Sequence, residues 1–287
     1  MPQTVKSAAA VNTLDIRPVS GALGADILGV DLSQELSDEI IAEIRQALLD
    51  HLVIFFRDQD ITPEQHLAFA KRFGDTVEYP LVKGVEGYPE IMLVVKYEHE
   101  KMNFGGLWHS DTTYLDIPPM GSILVARELP PHGGDTLFAN MYLAYQTLSE
   151  GMKELLDPLK GVSVSNRPRV QATRQERMAD SAKVEPETVL TAIHPVVRTH
   201  PETGRKALYV NGAHTIRFDG MSEAESEPLL DYLFEHQVRP EFTCRLRWEP
   251  GTIAFWDNRA TQHNPINDYH GFKRIMHRIT IAGDTPS

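Results

Sequence analysis

A chain of 287 residues, 41% hydrophobic and 24% charged, carries enough apolar sequence for a sizeable core, and its formal net charge of −12 disfavours nucleic acid and anionic membrane as partners. A single cysteine, Cys244, excludes an intrachain disulfide framework and any thiolate cluster, so a metal here would be held by nitrogen and oxygen donors. No apolar run approaches the roughly 18 residues of a membrane span, and Ser7-Ala8-Ala9-Ala10-Val11 is too short for a signal-peptide core, which makes a soluble cytoplasmic protein the expectation.

Beyond a loose tail, residues 14–19 alternate apolar with polar, and Gly21 and Gly24 punctuate a turn into residues 25–30, the pattern of an antiparallel strand pair. Ser37 is placed to cap a helix whose Ile40, Ile41, Ile44 and Leu48 share one stripe, and Val53-Ile54-Phe55-Phe56 follows as a short buried strand. Thr62-Pro63-Glu64-Gln65 is a capping box with proline at the first helical position, opening a helix that turns Phe69 and Phe73 inward. Ile91-Met92-Leu93-Val94-Val95 is a continuous apolar strand, and the polar residues 98–103 lead from it to Gly105-Gly106 and Trp108-His109-Ser110-Asp111.

In a strand, side chains at i and i+2 leave the same face with Cα atoms about 6 to 7 Å apart, so His109 and Asp111 can reach one small cation. Two histidines and one carboxylate on one side of a metal suit non-haem Fe(II) and O2 chemistry, and the third ligand must come from elsewhere. Such a pair arises readily by chance among 12 histidines and 40 acidic residues, and a satisfied surface pair is the competing reading. A second one is His200-Pro201-Glu202, where the proline and Thr203-Gly204 read as a hairpin tip between residues 196–198 and 207–210.

Residues 122–126 resume the sheet, residues 130–134 turn it with His132 facing solvent, and Asp135-Thr136-Leu137-Phe138 follow. Residues 165–188 are polar and weakly periodic, with Arg167, Arg169, Arg174 and Arg177 among acids and alanines; a mobile lid or a lone exposed helix both fit. Ser222-Glu223-Ala224-Glu225 is another capping box, opening a helix that buries Leu229, Leu230, Leu233 and Phe234. Phe242, Cys244, Leu246 and Trp248 alternate with polar residues as a strand whose expected partner is residues 251–256, and His263 sits in the polar loop 261–265. Residues 274–281 read as a strand with Arg274, Met276, Arg278 and Thr280 on one face and isoleucines, with a boundary His277, on the other. If the isoleucine face packs on helices, both guanidiniums point into the β core and something anionic should meet them; an exposed edge strand with solvated arginines is the alternative. Helices are bunched and strict strand-helix alternation is absent, which favours one domain over residues 1–287, mainly β with flanking helices.

Taken together and in this order, the motifs resemble the taurine dioxygenase / 2,4-dichlorophenoxyacetate dioxygenase family of Fe(II)- and 2-oxoglutarate-dependent oxygenases. The resemblance runs nearly end to end, through Gly24-Ala25, Gly29-Val30-Asp31-Leu32, Trp108-His109-Ser110-Asp111, Gly133-Gly134-Asp135-Thr136, His194-Pro195-Val196-Val197 and Trp256-Asp257-Asn258-Arg259 to His263, Arg274 and Arg278. It implies a double-stranded β-helix (jelly-roll) core, iron held by His109, Asp111 and His263, and O2 and 2-oxoglutarate as cosubstrates. It also implies that Thr136 and Arg274 bind the distal carboxylate of 2-oxoglutarate, and that Arg278, about 13 Å along the strand, is a second anion contact for cosubstrate and substrate. The implied reaction hydroxylates a small anionic substrate, releasing succinate and CO2, with fragmentation when the hydroxyl lands next to S, O or N.

Tyr79 stands where taurine enzymes of the family carry a histidine and Gly105 where they carry an asparagine, while residues 86–90 and 218–221 look more like the aryloxyalkanoate branch. The expected substrate is therefore an aryloxyalkanoate or alkylsulfonate bound at Arg278, with Tyr79 and Gly105 beside it. Taurine dioxygenase proper, a divalent-metal hydrolase with the same ligands and a non-catalytic 2-oxoglutarate sensor are the alternatives. A homo-oligomer is compatible with all of them.

Overall fold

Residues 53–56 and 253–257 are buried at every position, the mark of strands in the middle of a sheet covered on both faces. The computed structural model describes residues 14–185 and 187–287; the amino-terminal tail and the Arg177 side chain lie outside the described residues. In the eight-stranded sheet the order is Asp15–Pro18, Ala25–Leu28, Val53–Phe56, Ile253–Asp257, Gly121–Glu128, Arg274–Ile281 and Thr76–Val77, with Ile91–Lys96 also paired to Arg274–Ile281. The pairing of Ala25–Leu28 with Val53–Phe56 is parallel, because the helix Asp38–His51 carries the chain across between them.

Ser37 caps that helix by accepting from Ile40 N, and Thr62 with Gln65 forms the full capping box of the helix Pro63–Lys71, as the spacing requires. Both helices cover one face of the large sheet, packing Ile41, Ile44, Leu48, Phe69 and Phe73 against Phe56, Phe255, Ile279 and Ile281. The isoleucine face of Arg274–Ile281 is therefore under helices, and Arg274, Met276 and Arg278 face the other way and are buried, so the edge-strand reading is set aside. Opposite them lies a three-stranded sheet in the order Thr243–Leu246, Thr136–Asn140, Thr261–Pro265, and Phe138, Leu246 and Trp248 fill the space against Phe55, Leu124, Trp256 and Met276. The helix Glu223–His236 buries Leu230 and Leu233 and leaves Leu229 and Phe234 half-buried.

Two expectations about strands are corrected. Residues 251–256 do not partner Thr243–Leu246: that strand pairs with Thr136–Asn140 in the small sheet, while Ile253–Asp257 sits in the large one. The burial patterns explain the split, since the first strand alternates and the second is covered on both faces. Residues 261–265 are a strand and not a loop, in register with Thr136–Asn140. Their polarity misled because buried donors here find partners: the Thr261 hydroxyl donates to Asp257 O at 2.7 Å and the Gln262 amide to Val210 O at 2.9 Å.

Residues 165–188 hold the helix Pro168–Ser181, and it is neither lone nor exposed on all sides. Val170, Thr173 and Arg174 are buried, Met178 packs against the cluster of Tyr79, Leu81, Val82 and Tyr114, and Lys183 N donates to Leu81 O at 2.9 Å just beyond the helix. Among the described residues no helix is long and apolar enough to cross a membrane.

Residues 200–205 do form a hairpin tip between Val197–Thr199 and Lys206–Leu208, but His200 is buried and not a surface residue. Its Nδ1 accepts from Glu202 N and Thr203 N at 3.2 Å each, so Nε2 carries the proton and donates to Asp257 Oδ2 at 3.0 Å. Asp257 also receives a bidentate contact from Arg259 at 2.9 and 2.7 Å, and Arg259 reaches Glu202 at 2.8 Å. Burial alone would raise the Asp257 carboxyl, but Arg259 and His200 outweigh it and hold the group well below the usual carboxylate range. Replacing Asp257 with alanine leaves a buried guanidinium without its counter-ion, and we expect a loss on the order of 3–5 kcal/mol in urea unfolding. A loss below about 1 kcal/mol would mean that Glu202 alone suffices for Arg259.

Candidate active site

His109 and His263 face each other across a two-residue bridge: His109 N donates to His263 O at 3.0 Å and His263 N to His109 O at 2.8 Å. Residues that exchange both backbone hydrogen bonds lie about 5.5 Å apart at Cα with side chains on one face, and here the ring centroids are 4.1 Å apart. Ser110 prolongs the contact by donating its hydroxyl to Thr261 O at 2.6 Å, and the chain then turns at Thr112, whose φ is 44°. His109 and Asp111 are thus brought together by one bridge and a turn, not by the regular strand the spacing suggested. One ligand atom from each of His109, Asp111 and His263 lies within 4.8 Å of the other two, and all three residues are buried.

Each group is held in the protonation state that a cation needs. The His109 Nδ1 lies 2.7 Å from Leu107 O and donates to it, which leaves Nε2 with its lone pair directed at the cluster. Burial, together with neighbouring positive charge, pulls both imidazoles below their ordinary value, most strongly for His263. Burial alone would raise Asp111, but Arg278, with both imidazoles and the Ser122 hydroxyl, outweighs it and keeps the carboxylate ionised. Arg278 Nη1 donates to Asp111 Oδ1 at 2.7 Å, and Ser122 Oγ to Oδ2 at 2.7 Å. Asn258 sits behind the carboxylate: its carbonyl accepts from Trp256 Nε1 at 2.9 Å and Asp111 N at 3.3 Å, turning its amide toward Oδ2. Two neutral imidazoles and one oriented carboxylate fit Fe(II).

Thr136 and Arg274 line one cavity beyond this cluster. The Thr136 hydroxyl accepts from Trp248 Nε1 at 3.0 Å, so its own hydrogen is free for an acceptor. Arg274 is buried with Nε and Nη2 unpartnered, 5.6 Å from the Trp248 ring, and burial lowers its affinity for the proton. Gly134 explains the doubled glycine, because a Cβ there would lie 3.3 Å from Arg274 Cδ.

Two small cavities meet at the cluster. The first is walled by Thr136, Arg274, His263 and Leu124, the second by Tyr79, Tyr114, Thr173, Arg174 and His214, and both share Phe104, Gly105, His109 and Arg278. Tyr79 hydrogen-bonds Tyr114 through their hydroxyls at 3.2 Å and places its ring 5.4 Å from the Arg278 guanidinium. Gly105, at φ 71°, brings backbone against the metal cluster, since a Cβ there would be 3.1 Å from His109 Cε1. His132 is exposed, and His277 is half-buried beside Arg127, at 3.3 Å from its Nε. Sequence reasoning missed Ser122, Arg174 and His214 as parts of the site. Neither a lone serine in an apolar strand nor a lone histidine in a turn carries a motif, and Arg174 was one of four arginines in an unplaced segment.

The family model described as "Taurine catabolism dioxygenase TauD, TfdA family" matches residues 15–280. The chain belongs to this family. The dioxygenase is 40% identical, over 95% of its length and 91% of the relative's, to an alpha-ketoglutarate-dependent sulfate ester dioxygenase of Pseudomonas putida. It is 33% identical, over 95% of its length and 96% of the relative's, to an (S)-phenoxypropionate/alpha-ketoglutarate-dioxygenase of Sphingobium herbicidovorans. It superposes with a TM-score of 0.81 on the crystal structure of a taurine dioxygenase from Burkholderia xenovorans, at 39% identity over 96% of this chain and 92% of that one. The protein is accordingly a 2-oxoglutarate-dependent dioxygenase that works with Fe(II) and O2, which removes the hydrolase and sensor readings.

Because Gly105 combines a left-handed backbone with contact to His109, Gly105→Ala is expected to lower stability by about 1 kcal/mol or more in urea unfolding. An unchanged midpoint would show that the imidazole yields freely and that the glycine is not needed for packing.

Proposed function

We propose that the dioxygenase hydroxylates the carbon that carries the bridging oxygen of a small anionic ester or ether, with alkyl sulfate esters preferred and aryloxyalkanoates next. The observation that carries this reading is the junction of two cavities at the His-Asp-His cluster, one ending in an unpaired buried arginine and the other walled by aromatic rings and cations. His109, Asp111 and His263 would hold the iron, which when bound couples O2 and the oxidative decarboxylation of 2-oxoglutarate to oxidation of a substrate C–H bond. Arg274 and Thr136 receive the distal carboxylate of 2-oxoglutarate with a guanidinium fork and a hydroxyl donor. Arg278 borders both cavities, steadies Asp111, and faces the near end of the cosubstrate. Ser122 and Asn258 fix the remaining carboxylate oxygen, and Tyr79, Phe104 and Tyr114 exclude water from the second cavity.

No general acid or base is required of the protein. A hydroxyl placed on the carbon bearing a sulfate oxygen gives an adduct whose C–O bond to sulfate breaks as the new O–H loses its proton, yielding an aldehyde and hydrogen sulfate. The electrostatics of the second cavity disfavour taurine itself. Among its lining residues Asp111 is the one acid, already engaged by Arg278, so a substrate ammonium finds cations and no counter-ion. The aromatic walls at Tyr79 and Phe104 suit an alkyl or aryl group instead. The two facing sheets support a double-stranded β-helix core, the family match over residues 15–280 supports a single domain, and the docked helix Pro168–Ser181 reads as the cover of the second cavity. Together with the membership in this family, the lack of a membrane-crossing helix among the described residues supports a cytoplasmic location.

Succinate formation with Fe(II), 2-oxoglutarate and O2 should be stimulated most by hexyl sulfate, less by 2-phenoxypropionate and least by taurine; stimulation by taurine alone would sink the proposal. Chelation with EDTA should abolish turnover, and Fe(II) should restore it. Arg274→Ala is expected to raise the KM for 2-oxoglutarate by about 10- to 100-fold, the worth of a charge-assisted pair, with little change in the KM for the sulfate ester. Equal effects on both constants would mean that Arg274 serves the fold and not the cosubstrate.

A further inference from the structure

The second cavity contains a cation to which the reaction has not yet given a task. Arg174, on the helix Pro168–Ser181, is only 4% exposed, yet it pairs with no carboxylate among the described residues. Its Nη2 donates to Ser165 O at 2.7 Å, and its guanidinium stands 5.7 Å from the Tyr114 ring. The rest of the group looks into the cavity beside Thr173 and His214. His214 is also buried, stacked edge-on to Tyr114 at 4.9 Å and to His109 at 6.1 Å, with Nδ1 unpartnered. Arg174 additionally borders a second, larger groove lined by Leu81, Ala172, Met178 and Val184, so it is shared between that groove and the cavity at the His-Asp-His group.

The other two buried guanidiniums of the site stand nearer the cosubstrate cavity and the metal ligands, and Arg278 keeps Nε unpartnered. Arg274 faces the cosubstrate cavity, and Arg278 commits Nη1 to Asp111 and turns Nη2 to the Met92 sulfur at 3.1 Å. A guanidinium withdrawn from water needs an anion or pays a large desolvation penalty, and a planar fork suits two oxygens of a sulfate or carboxylate. We propose that Arg174, with His214 beside it, receives the anionic head of the substrate, so that head-group recognition draws on the helix Pro168–Ser181 as well as on the strand that carries Arg278. This rests on the reading of an anionic substrate given above. The uncharged part of the molecule then lies along Phe104, Leu107 and Tyr79, and the carbon next to the head faces the metal ligands. Arg174 in this way helps to distinguish an anionic substrate from a neutral one of the same shape.

The test uses the Fe(II)- and 2-oxoglutarate-loaded enzyme with Arg174→Gln and Arg174→Lys. The glutamine variant should raise the KM for hexyl sulfate by about 10- to 100-fold, with the lysine variant recovering part of the loss. The readout is the split between the two constants: the KM for hexyl sulfate should rise far more than the KM for 2-oxoglutarate. A hexyl sulfate KM within about twofold of the unaltered enzyme in a folded Arg174→Gln protein overturns the proposal and leaves the sulfate-ester reading standing. Should hexyl sulfate not be turned over at all, that reading fails by itself, and calorimetry with inorganic sulfate decides the matter for Arg174. Binding to the unaltered protein that is lost in Arg174→Gln upholds the site, whereas equal binding, or none to the unaltered protein, overturns it.

Discussion

The site depends on one pair of backbone hydrogen bonds. His109 and His263 are 154 positions apart in sequence, and the bridge between them fixes both side chains on the same face at a separation that one ion can span. Everything nearby serves that bridge. Thr261–Pro265 is held in register by Thr136–Asn140, Ser110 is tied to Thr261 O, and Gly105 has no side chain to push His109 aside. A loop could bring the same residues near each other, but it would leave their separation free to vary by more than a coordination bond tolerates.

Charge is the second constraint. The protein carries a net charge of −12, yet the space around the metal cluster is lined by Arg174, Arg274 and Arg278 with Asp111 as the one carboxylate of the cluster. Three buried cations in a small volume repel one another and have lost their water, so without ligands the site is electrostatically unfavourable. Carboxylate and sulfate ligands relieve that, which couples affinity for cosubstrate and substrate to the same cause. An acidic surface around a basic interior also keeps polyanions off while small anions still gain from entering.

The motif-bearing part of this design was legible in the sequence, because its signals are chemical and short-ranged. The capping boxes at Thr62 and Ser222, the buried strand 53–56 and the two-faced strand 274–281 needed only local pattern, and all lie where that pattern puts them. Partners joined by a short turn were legible, as for Asp15–Pro18 with Ala25–Leu28 and for the hairpin around residues 200–205, but the division of strands between the sheets was not. Thr243–Leu246 and Ile253–Asp257 are adjacent in sequence, but their burial sends them to different sheets, and no local feature of the intervening residues announces the crossing. Thr261–Pro265 looked like a loop because its polar groups find partners that lie 4 to 52 residues away. Arg174 and His214 went unnoticed for a related reason: they acquire meaning only from the cavity that encloses them.

These failures follow the division of labour in the molecule. The residues proposed as metal ligands and cosubstrate contacts come mostly from strands or from backbone bridged to them, at His109, Thr136, His263, Arg274 and Arg278. The walls of the second cavity come from connecting segments and one helix: Tyr79, Phe104 and Gly105 from loops, His214 from a turn and Arg174 from Pro168–Ser181. Groups on paired strands cannot move without breaking ladders, so the reaction shared across the family is held rigid, while side chains on loops can be exchanged with little effect on the core. That is why motif matching reads the chemistry from a sequence more easily than the substrate, whose cavity is walled largely by segments outside both sheets.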